Sequence, residues 1–534
     1  MTASLRAARA LALLGGFYLM GLALLAGLAV ADWLLVTVLF TASTAYLVGV
    51  ALTASVMVAI PILRGMVAFL TAGLRRREPG GLVVGEQEQP ELWALVRRAA
   101  GEAGTPAPAT LVLTGEVNAG VSERARMLGL LAGPRTLAVG VPLLAGMTVP
   151  QIRGVLAHEF GHFAHHDTRL AVVTMRGRGA VATTVEAFHG GTSRAQALVG
   201  SLYVRYARFF LRASQGVARR QELAADRAAA RQVGPATMAA MLRRLGVLVA
   251  AHGYYTETWA TAGVPVGVLP PAGEVHGGFR RLLAARGPDG LAALAGDRPA
   301  RKDDPYDSHP PQRERLAALE ALPPAGPEDD PGAAPALALL RDEDAVLAAL
   351  EELTLPDAAK ALPRLAWPEL VLRRAVADAE GWAAPLRKAV ERARRMAPAT
   401  GRATAAASER EAEGEDAGPG GLPDLAAVLD AIDDGLLWMA VADRMPKPPQ
   451  AARLTGASAR NFIRPRIWDG VAGLLLLHLV GRGLAKPDTS WSAGPGLVLP
   501  EVWEKGMDAA VDAALADAPD TAPLRTLLAA APDA

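Results

Sequence analysis

The residues His158-Glu159-Phe160-Gly161-His162 stand at the centre of the sequence. They lie within Thr148 to Phe163, which we interpret as a helix with Thr148 as its N-cap and Pro150 in its first turn. Positions i and i+4 share a helix face, so His158 and His162 can hold one metal ion from adjacent turns. Glu159 can then reach a water on that metal without being a ligand, which is the arrangement of zinc peptidases. The alternative is a surface helix with two ordinary histidines.

Composition limits the chemistry of such a site. The chain has 534 residues, no cysteine and nine histidines, so a metal must be held by His, Asp or Glu. Its length predicts two or three units. A net charge of +1 creates no overall field for a polyanion, and we therefore expect no nucleic-acid partner.

Catalytic zinc needs a third protein ligand, and two carboxylates are candidates. Glu186 lies 24 residues after His162, and Glu222 lies 60 residues after it. Glu222 is favoured because Asp226, at i+4 on the same predicted helix, could hydrogen-bond a ligating histidine and set its tautomer.

The N-terminal part is apolar enough to enter a bilayer. Asp32 is its one charged residue between Ala10 and Leu63. We predict two transmembrane helices, Leu11–Val30 and Leu34–Ile60, with a turn at Asp32. A fully buried core hairpin is the alternative.

Arginines flank both ends of this hairpin, at Arg6 and Arg9 before it and at Arg75, Arg76 and Arg77 after it. This pattern predicts that both flanks are cytoplasmic. The tripeptide 29–31 resembles a signal-peptidase site, but even after cleavage the second helix would leave the rest of the chain in the cytoplasm.

The remaining sequence predicts a mainly α fold with a small β-sheet. Runs at Thr110–Thr114 and Thr136–Gly140 are β-like, and a long helix is predicted from about Leu198 to Val233. Six tryptophans beyond residue 360 indicate a packed, Ala-rich helical region at the C-terminal end. We predict a membrane hairpin at 1–80, an α+β domain at 82–321, a linker at 322–336 and a helical C-terminal region at 337–534, with a disordered insert at 397–423.

Two motifs in this order resemble a known family. His-Glu-Phe-Gly-His followed by Asp167, then Glu-x-x-Ala-Asp at 222–226, is similar to HtpX-like and CAAX-prenyl-protease-like membrane zinc metallopeptidases. Asn118-Ala119-Gly120 and the stretch from Ser308-His309-Pro310 to Arg315 resemble further motifs of that family. The resemblance covers about residues 82–320 and the N-terminal hairpin.

The resemblance implies a zincin-like α+β domain with one Zn²⁺ on His158, His162 and Glu222 and with Glu159 as general base. It further implies that His309, with Arg315, steadies the developing oxyanion, and that Asn118 binds substrate by strand addition. Asp226 would support a ligand by hydrogen bonding, and Asp167 would be either a helix cap or a supporting group of the same kind. Arginines between His162 and Glu222 leave no uncharged spanning run there, which argues against CAAX-type processing in an intramembrane chamber.

Three functional hypotheses follow. The chain is a membrane endopeptidase that cuts protein substrates at the cytoplasmic face, a latent peptidase regulated by its C-terminal region, or a membrane-anchored scaffold with a structural metal. Glu159 discriminates against the scaffold, because a structural site needs four closed ligands and no base. The C-terminal helical region could bind a protein partner in any of these hypotheses.

Overall fold

The structure is a computed structural model that describes residues 3–41, 43–71, 80–123, 133–164, 178, 181, 194–296, 310–325, 330, 332–396, 423–447, 449–451, 453–454 and 456–530. It is mainly helical with one small sheet, which confirms the predicted fold class. The chain divides into two compact units. The first comprises Met1–Tyr254 and His276–Leu355, and the second comprises Tyr255–Val275 and Pro356–Ala534.

The first unit begins with a helical hairpin made of α1 (Ala3–Leu39) and α2 (Ala45–Thr71). The predicted turn at Asp32 is wrong, because α1 continues through that residue and the connection lies between Leu39 and Ala45. The segment around Asp32 contains neither Gly nor Pro to end a helix. The Ser55 hydroxyl on α2 donates a 2.6 Å hydrogen bond to the Asp32 carboxylate, which gives that group a partner inside the hairpin.

The hairpin exposes its apolar side chains. Segments Gly15–Leu39 and Ala45–Arg64 are long and apolar enough to cross a membrane. Trp33 is 64% exposed, Val38 70% and Tyr46 80%, so the alternative of a buried core hairpin is wrong. An apolar surface of this extent needs lipid or a partner to cover it.

A four-stranded sheet follows the hairpin. Its strands are β1 (Leu82–Val84), β2 (Thr110–Thr114), β3 (Ala119–Glu123) and β4 (Arg135–Gly140), in the spatial order β1-β2-β4-β3. Strands β2 and β4 are parallel, and the two outer strands are antiparallel to their neighbours. Strand β3 is therefore an edge, and its outer side is not paired with any strand that the structure describes.

Helices cover this sheet and carry the site. Helix α3 (Pro90–Glu102) buries Leu92, Val96 and Ala99. After the short α4 (Val141–Gly146), helix α5 (Val149–Ala164) matches the helix predicted from Thr148, and it packs against the long α6 (Arg194–Val233). The remaining helices of this unit are α7 (Pro235–Tyr255), α8 (Glu274–Gly296), α9 (Gln312–Glu320) and α10 (Glu343–Thr354).

The second unit is helical apart from a small hairpin of strands, β5 (Lys486–Asp488) and β6 (Gly496–Val498). Helix α12 (Trp367–Met396) packs along α15 (Gly456–Gly481). The other helices are α11 (Asp357–Lys360), α13 (Leu425–Asp433), α14 (Ala442–Arg444), α16 (Glu501–Ala514) and α17 (Ala522–Ala529).

Tryptophans pack the segment Tyr255–Val275, from the middle of the chain, into this unit. The Trp259 ring stacks on Trp491 with centroids 3.9 Å apart, and Trp367 meets Trp491 edge-on at 4.9 Å. The Trp367 indole N–H donates to the Glu274 carboxylate at 3.0 Å. The boundaries thus differ from those expected, since residues 337–355 belong with the first unit and 255–275 with the second. The insert expected at 397–423 lies outside the described residues except for Pro423.

Candidate metal centre

Helix α5 presents two histidines on one face. His158 and His162 are one turn apart, and their rings lie with centroids 4.8 Å apart at an angle of 85°. This is the convergence expected from i and i+4 positions on an uninterrupted helix. His158 is buried, whereas the His162 side chain is about a quarter exposed, at 26%. The pair therefore has a closed end and an open end.

Helix α6 brings a carboxylate to the same point. Glu222 Oε2 lies 3.5 Å from His158 Nε2, and Glu222 Oε1 lies 3.7 Å from His162 Nε2. One donor atom from each of the three residues lies within 4.8 Å of the others. Zinc bonds of about 2.0–2.2 Å at tetrahedral angles put ligand atoms roughly 3.3–3.6 Å apart. The three donors therefore fit a small divalent cation of this kind.

The electrostatics of the site also favour a cation. Burial lowers the pKa of His158, but the carboxylates of Asp226, Glu222 and Glu159 outweigh burial and raise it to about 9. Glu222 is only 2% exposed. Such a buried carboxylate needs positive charge nearby, and a metal ion supplies it.

Asp226 lies one turn beyond Glu222 on α6. It lies near Nδ1 of the His158 ring, whereas Glu222 lies near Nε2. Its Oδ1 is at hydrogen-bonding distance, 2.9 Å, from His158 Nδ1. A proton held on Nδ1 leaves Nε2 as the lone-pair donor that faces Glu222 and His162. Asp226 is thus placed to orient the ligand, as the i+4 spacing predicts.

Arg315 on α9 completes this network. Its Nε and Nη2 donate to the two Asp226 oxygens at 2.8 and 2.6 Å, a two-pronged ion pair. Burial would raise the pKa of Asp226, but the hydrogen bonds from Arg315 and His158 hold it below its usual value. Pairing with Asp226 is a role for Arg315 that the sequence did not predict, and no local signal links residues 89 positions apart.

A pocket of about 370 Å³ opens over the two histidines. Glu159 and Arg315 line it beside His158 and His162, and so does Asn118, which immediately precedes the edge strand β3. Five apolar side chains also line it and are called here its apolar wall: Leu143, Val155, Met241, Leu242 and Leu245. Nothing in the sequence pattern singled out this apolar wall, because α4, α5 and α7 contribute it separately.

His309, Asp167 and Glu186 lie outside the described residues. Glu222 is therefore the carboxylate that the structure brings to the histidine pair, and Glu186 stays an untested alternative.

Comparison with known proteins agrees with this site. Residues 86–322 match the family model of Peptidase family M48. This part of the chain is similar to M48 peptidases. The predicted resemblance to HtpX-like membrane metallopeptidases is confirmed by this match and by curated relatives described as HtpX homologues. The matched range contains all three candidate ligands.

Three relatives give the extent of the similarity. Protease HtpX homolog 1 of Streptomyces coelicolor is 33% identical over 179 residues, which is 31% of this chain and 56% of the relative. Protease HtpX homolog of Gemmatimonas aurantiaca is 25% identical over 46% of this chain and 80% of its own length. The homologue from Acidiphilium cryptum is 30% identical over 29% of this chain and 56% of its own length. The chain thus spans little more than half the length of two of these relatives. No solved structure matches the chain.

Proposed function

We propose that this chain is a membrane-anchored, zinc-dependent endopeptidase that hydrolyses peptide bonds of protein substrates. The observation that carries the proposal is the convergence of His158, His162 and Glu222, in which both histidines line a pocket that Glu159 also lines. Three donors and an open side are what a catalytic zinc site needs, whereas a structural site closes four ligands around the ion. Among the residues that the structure describes, only these three form such a group.

The three donors would hold Zn²⁺, which when bound supplies Lewis acidity that polarises the scissile carbonyl and makes a water acidic. Glu159 accepts the proton of the attacking water at its carboxylate and returns it to the nitrogen of the leaving amine. Asp226 keeps the proton of His158 on Nδ1, and Arg315 keeps Asp226 ionised. His309 stays our candidate for a group that steadies the oxyanion.

Substrate would bind along the edge strand. The start of β3 borders the pocket, through Ala119 and the preceding Asn118. An extended peptide that paired with this edge would run its backbone past the two histidines. This mode of binding accepts many sequences, because main-chain hydrogen bonds do not depend on the side chains.

We further propose that α1 and α2 cross the bilayer and that the peptidase domain lies in the cytoplasm. The apolar spans end near arginines on both flanks, including the exposed Arg64 at the end of the second span. The positive-inside rule then puts both flanks on the cytoplasmic side. A partner for the C-terminal helical region stays a prediction.

The test compares wild type, Glu159→Gln and Glu369→Gln after purification of the full chain in detergent. Glu369 is an exposed glutamate at the start of α12 and serves as the matched control. We expect one zinc per chain in all three by mass spectrometry and cleavage of casein by wild type and control. Glu159→Gln should be slower by about 10²–10⁴-fold, the contribution of a general base.

Other outcomes discriminate between the hypotheses. Zinc in every variant without cleavage by any would favour a latent enzyme or a scaffold with a structural metal. Absence of metal from the wild type would refute the proposal.

A further inference from the structure

Helix α6 joins the candidate metal centre to the membrane hairpin. Glu222 and Tyr203 both lie on this helix, 19 residues apart, a distance of about 28 Å at 1.5 Å per residue. Glu222 faces the histidines of α5, whereas Tyr203 belongs to an apolar cluster with residues of α1 and α2. One helix therefore carries both a candidate ligand and a contact to the segment that we propose crosses the bilayer.

The first half of α6 packs one face on the hairpin. Tyr203, Ala207 and Phe210 are buried at helical spacing and cluster with Phe17 of α1 and Met66 of α2. The rings of Phe17 and Tyr203 meet edge-on with centroids 5.1 Å apart. This half of α6 is thus fixed to the hairpin by apolar packing.

The contacts also give the direction of α6 relative to α1. Tyr203 lies against Gly21, and Tyr206 lies against Gly16. The Tyr206 hydroxyl donates to the Leu13 carbonyl at 2.7 Å. Rising numbers on α6 therefore accompany falling numbers on α1. The apolar span of α1 has its N-terminal boundary at Gly15, so Tyr206 lies at the level of that boundary.

The opposite face of α6 is basic at this level. Arg205, Arg208 and Arg212 occupy positions i, i+3 and i+7, which share one face, and all three are exposed. Phe209, between them in the sequence, is 51% exposed. Arginines with an exposed aromatic ring beside an apolar span are typical of a membrane–water interface.

We propose that Arg205, Arg208 and Arg212, called here the arginine row, bind the phosphate groups of anionic lipids at the membrane boundary. The guanidinium group forms paired hydrogen bonds with phosphate, and its aliphatic stem can lie along the acyl region while the charge reaches the headgroups. Charge complementarity selects anionic headgroups over zwitterionic ones. The row is continuous with the hairpin surface that lipid would cover.

The arginine row would also fix the height of the site. Arg212 and Glu222 are ten residues apart on α6, about 15 Å of helix. The candidate metal centre would then lie about 15 Å from the headgroup layer along α6. Lipid contact at the arginine row therefore orients the whole peptidase domain relative to the bilayer.

The test uses the full chain in phosphatidylcholine vesicles that contain spin-labelled phosphatidylglycerol or spin-labelled phosphatidylcholine. Electron paramagnetic resonance gives the relative affinity of the two labels for the protein surface. The variant R205Q/R208Q/R212Q removes the row, and R220Q/R227Q/R231Q removes three exposed arginines from the part of α6 away from the hairpin. We expect wild type to prefer phosphatidylglycerol by about fivefold, which corresponds to about 1 kcal/mol.

The row variant should lose at least half of that preference, and the control should keep it. The charge-conserving variant R205K/R208K/R212K should also retain most of it, which separates loss of charge from misfolding. Added glycerol phosphate should not compete, because the site is made at the bilayer surface. Equal loss in the row variant and the control, or no loss in either, would overturn the proposal.

Discussion

Gly161 on α5 lies directly against Ala225 on α6: a side-chain carbon at Gly161 would be 3.3 Å from the Ala225 Cα and 3.5 Å from its carbonyl oxygen. The two helices can approach this closely because position 161 has no side chain. Gly161 lies between the two histidines of the candidate metal centre in sequence, and Ala225 lies between Glu222 and Asp226. Close packing at this point is therefore what brings the three donor atoms together.

Substitution of this glycine should weaken metal binding. Gly161→Ala puts a methyl group against backbone atoms that cannot rotate away, and overpacking of this kind costs about 1–3 kcal/mol. We expect zinc affinity to fall at least about fivefold, measured by competition with a chromophoric chelator. Gly154 on the same helix is the control, because a methyl there meets only the side chains of Val233 and Met238, at 3.4 and 3.6 Å. Equal zinc affinity in both variants would contradict the packing argument.

The Asp226–Arg315 pair should matter for both affinity and stability. Asp226→Asn removes the charge that holds the His158 tautomer, and loss of such a partner costs about 10–100-fold in metal affinity. Arg315→Met leaves the Asp226 carboxylate, 1% exposed, without its ion pair. That change should lower the free energy of unfolding by about 3–5 kcal/mol, measured by chemical denaturation in detergent.

The double variant D226N/R315M provides the internal check on this pair. Because it removes both charges, it should unfold at a higher denaturant concentration than Arg315→Met alone. If the double variant lost as much free energy of unfolding as the two single variants lose together, the residues would not be coupled.

The apolar wall of the pocket should set the preference for a substrate side chain beside the scissile bond. Leu245→Ala enlarges the pocket, so cleavage should shift toward substrates with larger apolar residues at one position. We expect the ratio of kcat/KM between substrates with larger and smaller apolar residues to change about tenfold, within the range of about 1–3 kcal/mol for such pockets. Mass spectrometry of a digested peptide library measures the shift. Leu353→Ala, at an exposed position of α10, should leave the preference unchanged.

Two histidines outside the metal centre should make the first unit sensitive to acid. Burial lowers the pKa of His252 to about 4, and burial together with the charge of His252 lowers that of His276 to about 4. His276 Nε2 lies 2.8 Å from the Thr354 hydroxyl, and the His252 ring meets Phe279 at 5.1 Å. Between pH 6.5 and about 4 the unfolded chain binds more protons than the folded one, so stability falls as the pH falls.

The slope is at most about 1.4 kcal/mol per pH unit for each histidine. The variant H252Q/H276Q cannot titrate at these positions, so its melting temperature should fall less than that of wild type between pH 7 and pH 5. Acid effects at the candidate metal ligands are common to both proteins and cancel in the difference. Parallel falls in the two proteins would show that the pair does not contribute.

Local periodicity determines much of this protein independently of tertiary contacts. The i, i+4 spacing on one helix is sufficient to place His158 beside His162, and an apolar run is sufficient to define the hairpin. The turn predicted at Asp32 is wrong, because α1 continues to Leu39, and the Asp32 carboxylate finds its partner in the Ser55 hydroxyl of α2.

Only the tertiary structure decided what depends on distant residues meeting. Glu222 reaches the histidines because Gly161 lets α6 approach α5, and Arg315 crosses from α9 to pair with Asp226. The apolar pocket wall and the association of 255–275 with the C-terminal helices likewise have no signal in any single segment. The physical reason is that hydrogen-bond geometry fixes neighbours along one helix, whereas side-chain packing between helices selects which distant residues come into contact.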